Sequence, residues 1–459
     1  MSAPFVFLPV LADFVDAGPR YQTAVVNGLK RLWEVGKDQP QPQPTVDWAR
    51  AWPILFDFFE SIFRNPDAGR RTGSDFTQSW LLSAVSDTLQ SGTRSDEHAY
   101  PAELLPRGWA LLETLLDRAD ATQKADDTDP MSAAINSPKG RTIEAAISHA
   151  LRACRLADKE SGSHAAAWAG MRGQFDTELQ KTLEGNYEFS TLLGAYFANL
   201  DYVDEEWVRA NLAAIFPVQQ PQFLCAIGGL AYASATIRVY DKLRDAGVIE
   251  AALRSNVKGR ETRKKLIERV VLGYLWGHDD LDSSRFSCLF AMEQTDDLEH
   301  AGWFMWTVRG GALSEAQVAR VVAFLDKCVT WSQAQPTPPQ KLLSTLSELT
   351  WALSDAAGRN RELLLAIAPY VPLRHRTHEF LRELARLLEI SPVETTEVLG
   401  NLIEHFGPTP SYYDYEGRLK ALITRVAALG DRPRALAYCD RLRSVDGMLE
   451  LFSNLRTQG

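Results

Sequence analysis

Apolar side chains recur at steps of three and four along almost the whole chain, and this regularity restricts it to helices. Trp48, Trp52, Leu55, Phe56, Phe59 and Phe63 form one such stripe. Phe76, Trp80, Ala84 and Leu89 form a second, Phe189, Leu192, Leu193, Tyr196 and Leu200 a third, and Leu342, Leu346, Leu349 and Leu353 a fourth. A helix with 3.6 residues per turn places such residues on one face, whereas a strand needs strict alternation. Alternating β-branched runs are nearly absent, so no strand is expected.

Helix ends are marked in the same segments. Ser314 is placed to cap a helix with Gln317 bonding back, and Leu313 and Val318 occupy the two hydrophobic-staple positions. Ser391, Pro392 and Glu394 repeat the pattern of cap, first helical proline and capping box. Gly430 suits a helix stop and Pro433 the next start.

Three segments interrupt the periodicity: 36–45 (GKDQPQPQPT), 118–130 (RADATQKADDTDP) and 332–340 (SQAQPTPPQ). With 459 residues the chain is too long for one core. These breaks divide it into an N-terminal helical block over 1–117, a central helical domain over 131–330 and a C-terminal helical-repeat block over 341–459. The expected fold is all-α: an irregular, elongated helical-repeat array of antiparallel helix pairs, an α-solenoid of HEAT-like or TPR-like kind. No strict period is visible, which argues against a consensus TPR or ankyrin array. The last block, with two amphipathic helices around a Gly-Asp turn, is the most TPR-like.

A hydrophobic share of 45% argues against wholesale disorder. A net charge of −10 disfavours a dedicated duplex-DNA binder. Cys154, Cys225, Cys288, Cys328 and Cys439 lie at least 40 residues apart, so there is no zinc spacing, and buried thiols in a reducing, cytoplasmic setting are expected. The apolar opening MSAPFVFLPVLADFV lacks a basic leader and is interrupted by Pro9 and Asp13. It reads as a segment that packs on other helices, of a longer chain or of a partner. No apolar run reaches the length of a membrane span, so no membrane association is expected.

The candidate sites are basic. In INSPKGRTIEAAISHALR, Ser137 and Pro138 start a helix whose buried face is Ile143, Ile147 and Leu151, and Lys139 and Arg141 stand at its N-terminus. Unpaired N–H groups there favour anions, although the P-loop pattern is absent and no strand precedes it. The run RSNVKGRETRKKLIERV contributes Lys258, Arg260, Arg263 and Lys264 to a face that suits a partner or nucleic acid, unless the acidic HDDLD at 278–282 neutralises it. GHDDLDSS lacks the calcium-loop spacing, and His375 and His378 are flanked by Arg374 and Arg376, which disfavours a metal. GWFMWTVRGG places Trp303, Phe304 and Trp306 within four positions, a density that suits a core. No nucleophile or dinucleotide motif is present. The residues therefore indicate no catalytic group, no cofactor and no metal.

Residues 131–330 carry, in order, INSPKGRTIEAAISHALR, LLGAYFANLDYVDEEWVRANLAAIFP, VYDKLRDAGVIEAAL and HAGWFMWTVRGGALSEAQVARVVAFLDKCV. This order resembles the helical C-terminal region of large bacterial anti-phage defence proteins, where it follows a sirtuin-like NAD-consuming domain or a STAND-type NTPase. The resemblance implies a non-catalytic scaffold or sensor that binds a protein partner, an effector domain or a phage protein. NADase or NTPase activity would then reside in another segment or a separate chain, and no catalytic residue carries over. Two alternatives stand beside it: a general helical-repeat adaptor, and a nucleic-acid-binding repeat protein, which the charge disfavours.

Overall fold

The computed structural model describes residues 8–38, 46–70, 76–96, 98–122, 124–126, 128–218, 221–291, 295–373, 377–406 and 417–457. Most of the 36–45 linker and the start of the opening segment, 1–7, lie outside the described residues, as does His375. Among the described residues every regular element is a helix and there is no strand. No helix among them is long and apolar enough to cross a membrane.

The chain forms two compact units. The first comprises Met1–Val239 with Ser255–Arg263, the second Tyr240–Arg254 with Lys264–Gly459. The expected linkers 118–130 and 332–340 run inside the first and second units respectively. In 118–130 the Thr122 amide donates to Glu188 at 3.0 Å, and Asp129 caps the following helix through the Ser132 amide at 3.0 Å.

The first unit begins with α1 (Pro19–Asp38), α2 (Trp48–Phe63), α3 (Thr77–Arg94) and α4 (Leu105–Arg118). It continues with α5 (Pro130–Asn136), α6 (Pro138–Ser161), α7 (Ala165–Lys181), α8 (Tyr187–Ala195), α9 (Phe197–Val203), α10 (Glu205–Ile215) and α11 (Gln222–Leu230). Helix α3 packs on both α1 and α6, and α8 on α11. The α2 stripe is buried at all six expected positions, and Trp52 and Phe56 both pack edge-on against Tyr100. Arg118 closes the C-terminus of α2, donating to the carbonyls of Phe63, Asn65 and Ala68 at 2.7–2.8 Å. The Phe63 carbonyl lies in the last turn, where the helix supplies no N–H, and those of Asn65 and Ala68 lie in the turn just beyond it, so one guanidinium ties down the chain leaving α2.

Two expected stripes are corrected. Of the second stripe, Ala84 and Leu89 are buried as expected, but Phe76, just before α3, and Trp80 are 48% and 55% exposed, and Leu81, Leu82 and Val85 complete the buried side. With α1 on one flank and α6 on the other, the sheltered arc of α3 is wide and rotated one position from the aromatics. On α6, Ile143 and Ile147 are buried, but Leu151 is only half-buried while Arg152 is inside. Arg152 donates to the Tyr100 carbonyl at 2.7 Å, lies over the Tyr100 ring and has Asp96 at 3.7 Å, which together offset part of the cost of burying its charge.

In the second unit, Leu342, Leu346, Leu349 and Leu353 are buried as expected, although a 3-10 stretch, Ser347–Ala352, interrupts their helix. Ser314 and Gln317 form the full capping box. Ser391 does not cap its helix: it is buried, and its hydroxyl accepts from the Ala356 amide at 3.2 Å. Helices Arg418–Ala428 and Arg432–Arg441 pack together across Gly430, whose φ of +100° suits glycine, and Asp431 caps the second. Trp303 is 38% exposed and stacks on His300, and Trp306 is half-buried beneath Arg309, so the core placement of this pair is corrected. The inward residues of their helix, Asp296–Thr307, include Leu298, Ala301 and Met305.

Candidate functional site

The start of α6 separates its two cations by geometry. Successive residues turn by about 100°, so Lys139 and Arg141 point to nearly opposite sides. Ser137 caps the helix, accepting from the Gly140 amide at 2.9 Å, and Pro138 takes the first position, where no N–H is needed. Gly140 is pressed against α5: a Cβ there would lie 1.9 Å from the Ala134 carbonyl oxygen.

Lys139 points inward. Its ammonium pairs with Glu178 of α7 at 2.8 Å and donates to the Leu116 carbonyl at 2.7 Å, with both charged side chains almost fully buried. Glu178 also accepts from Lys181 and from the Asn186 amide, each at 2.8 Å. Burial pushes the Lys139 ammonium below its ordinary value, and Glu178 pulls it part of the way back. This lysine therefore ties α4, α6 and α7 together. Removing one member of such a buried pair costs about 3–5 kcal/mol, because the other charge is stranded.

Arg141 points outward, to an open cleft of about 400 Å³. Helix α3 supplies one wall through Trp80, Ser83, Ala84 and Asp87, spaced so that all four share a face. Helix α1 supplies Thr23 and Asn27 from the other side, and Asn136 and Arg141 close the end at the α5–α6 corner. Asp87, with a side chain 13% exposed, accepts from Arg141 and from Lys30 of α1, the latter at 3.1 Å. Trp80 and Asp87 thus mark an aromatic end and a charged end of one trough. Its volume falls within the range of about 300–1,000 Å³ common to ligand pockets.

The second basic candidate is arranged differently. Lys258 and Arg260 are exposed, and Arg263 and Lys264 are half-buried. The division between the two units falls between Arg263 and Lys264. Within the same run Arg254 pairs with Glu250 at 2.6 Å and Lys265 with Glu268 at 2.8 Å. Arg269 is buried, which pushes its guanidinium down to about 10. The acidic segment is engaged elsewhere: Asp279 accepts from Arg285 and Tyr240, and Asp282 from Lys327. Among the described residues no group of His, Cys, Asp and Glu is placed to hold a metal ion.

Of the candidates, Arg141 alone enters the cleft. Trp80 was legible only as a member of an expected core stripe, and Asp87 was not singled out by the sequence at all. Lys30 carried no signal, because its partnership with Asp87 joins residues 57 positions apart. Comparison with protein-family models, with curated proteins and with solved structures finds no match.

Proposed function

We propose that this chain is a non-catalytic helical scaffold that binds a protein partner through the cleft between α1, α3 and the α5–α6 corner. The observation that carries this reading is Trp80. A tryptophan more than half exposed, lining a trough together with Asp87 and Arg141, offers the kind of large rigid apolar surface on which a partner anchors. The helix pairs are read as an irregular repeat array of the HEAT-like or TPR-like kind, which presents side chains to a partner on rigid elements.

The sequence resemblance of 131–330 supports reading the scaffold as part of a bacterial anti-phage defence system, with an effector domain or a phage protein as the partner. Plating a phage panel on cells carrying the native gene, a deletion, or Trp80→Ala tests both halves. The reading expects the deletion and Trp80→Ala to lose protection alike, with the variant's helix content unchanged by circular dichroism. Unchanged plating on deletion favours a general adaptor. Full protection by Trp80→Ala removes the cleft from the function.

A further inference from the structure

The charges in and around the cleft cancel. Arg141 and Lys30, which is not part of the lining, both bond to the Asp87 carboxylate, and Glu34 lies 3.8 Å from Lys30. Glu144, which accepts from Tyr196 at 2.8 Å, adds its charge beside Arg94, Arg141 and Asp87. Among the described residues, Lys30, Arg94 and Arg141 are thus matched by Glu34, Asp87 and Glu144, and no surplus charge is left to select an ion.

Polar groups of both kinds nevertheless stand open there. Both cations use Oδ2 of Asp87, and Oδ1 carries no hydrogen bond among the described residues. The exposed Asn27 amide has no partner among them either, so it offers a donor and an acceptor. Arg141 gives Nη1 to Asp87 and, with 32% of its side chain exposed, keeps further N–H groups for the cleft. The Thr23 and Ser83 hydroxyls donate to the Pro19 and Ser79 carbonyls at 2.8 and 2.9 Å, which leaves their lone pairs.

An occupant of this set has to donate and accept at neighbouring positions without carrying charge. Adjacent hydroxyls do that, since each has one donor and two lone pairs. Trp80 supplies an apolar surface beside them, and the negative face of an aromatic ring attracts the weakly positive C–H groups of a saturated ring. A nucleotide fits less well. Its base gains from stacking on several rings, whereas Trp80 is the one aromatic among the lining residues described. Its phosphate needs the surplus positive charge that is missing.

We propose that the cleft is a binding site for a neutral sugar, with a ring against Trp80 and hydroxyls on Asn27, Asp87 and Arg141. Trp80 and Asp87 are seven residues apart on α3, about 10 Å at a rise of 1.5 Å per residue, a length that suits two linked rings. This goes beyond the partner reading, because sugar and partner contend for the same indole.

The test is saturation-transfer NMR on the full chain with cellobiose, maltose, lactose and diacetylchitobiose, against glucuronic acid, glucosamine and adenosine. At least one neutral disaccharide binds, in the millimolar range or tighter, and more tightly than all three controls. Added salt leaves it bound, as expected where no net charge is recognised. Trp80→Ala weakens it about tenfold and Asn27→Ala about fivefold, the latter for one lost hydrogen bond. Both residues are exposed, so both variants keep the native circular dichroism. Failure of all four disaccharides, tighter binding of any control, or binding unchanged by Trp80→Ala or by Asn27→Ala overturns the proposal. Should every sugar fail while Trp80→Ala abolishes phage protection, this proposal falls and the partner reading stands. Should a sugar bind through Trp80 while Trp80→Ala protects fully, the partner reading falls and the sugar site stands.

Discussion

His164, at the corner between α6 and α7, has both ring nitrogens committed. Nδ1 lies 2.9 Å from the Asp158 carboxylate and Nε2 lies 2.8 Å from the Val203 carbonyl. Both acceptors require an N–H, so the geometry asks for an imidazolium. Tyr202 donates to the same Asp158 at 2.6 Å, and Asp204, held by Trp168 at 2.8 Å, adds a second negative charge. Burial pushes His164 down, but the bonds to Asp158 and Val203 and the two carboxylate charges outweigh it, and its value rises above the ordinary 6.5. A raised native value means stability that is complete below the unfolded value and is lost as pH climbs through the native one. Native protein should therefore exceed His164→Gln in unfolding free energy by about 1 kcal/mol near pH 6. The gap should close by about pH 8.5, in denaturant titrations at both values. A gap that does not change with pH would show that the ring is neutral.

At the scale of the element, glycines decide which helices can touch. Helices α8 and α11 meet where a Cβ on Gly194 would lie 2.0 Å from the Ala226 carbonyl oxygen and one on Gly229 1.7 Å from that of Thr191. Gly229→Ala gains about 1 kcal/mol of helix propensity but forces two backbones apart, so a net loss of about 1–3 kcal/mol is expected. Gly170 and Gly173, on the exposed side of α7, meet nothing within 4 Å. Alanine at either should stabilise by about 0.4–1 kcal/mol. Thermal unfolding of the three variants reports the opposite signs, and equal signs would refute the close crossing. Helix boundaries were readable where the signal is local, as at the Ser314 box and between the Gly430 stop and the Pro433 start. Ser391 misled because its hydroxyl serves an amide 35 residues away.

For the whole molecule, burial should sort the thiols. Cys154, Cys225, Cys328 and Cys439 are buried and Cys288 is half-buried. Burial pushes Cys154 and Cys439 up to about 11 and Cys328 well above its ordinary value, with little thiolate near neutrality. A thiol reagent added to native protein should titrate Cys288 first, and the other four on the timescale of unfolding. Two or more fast thiols would contradict the packing. The sequence by itself determined that the chain is helical, where a few of its helices begin, and that the α2 stripe lies inside. Those are consequences of periodicity and of backbone groups a few residues apart. Only the tertiary structure decided that Trp80 and Trp303 face outward, that Lys139 is buried while Arg141 lines a cleft, and that Asp87 joins Lys30 to Arg141. A stripe wider than one side of a helix can be buried by neighbours in more than one rotation, and which rotation wins depends on helices distant in sequence.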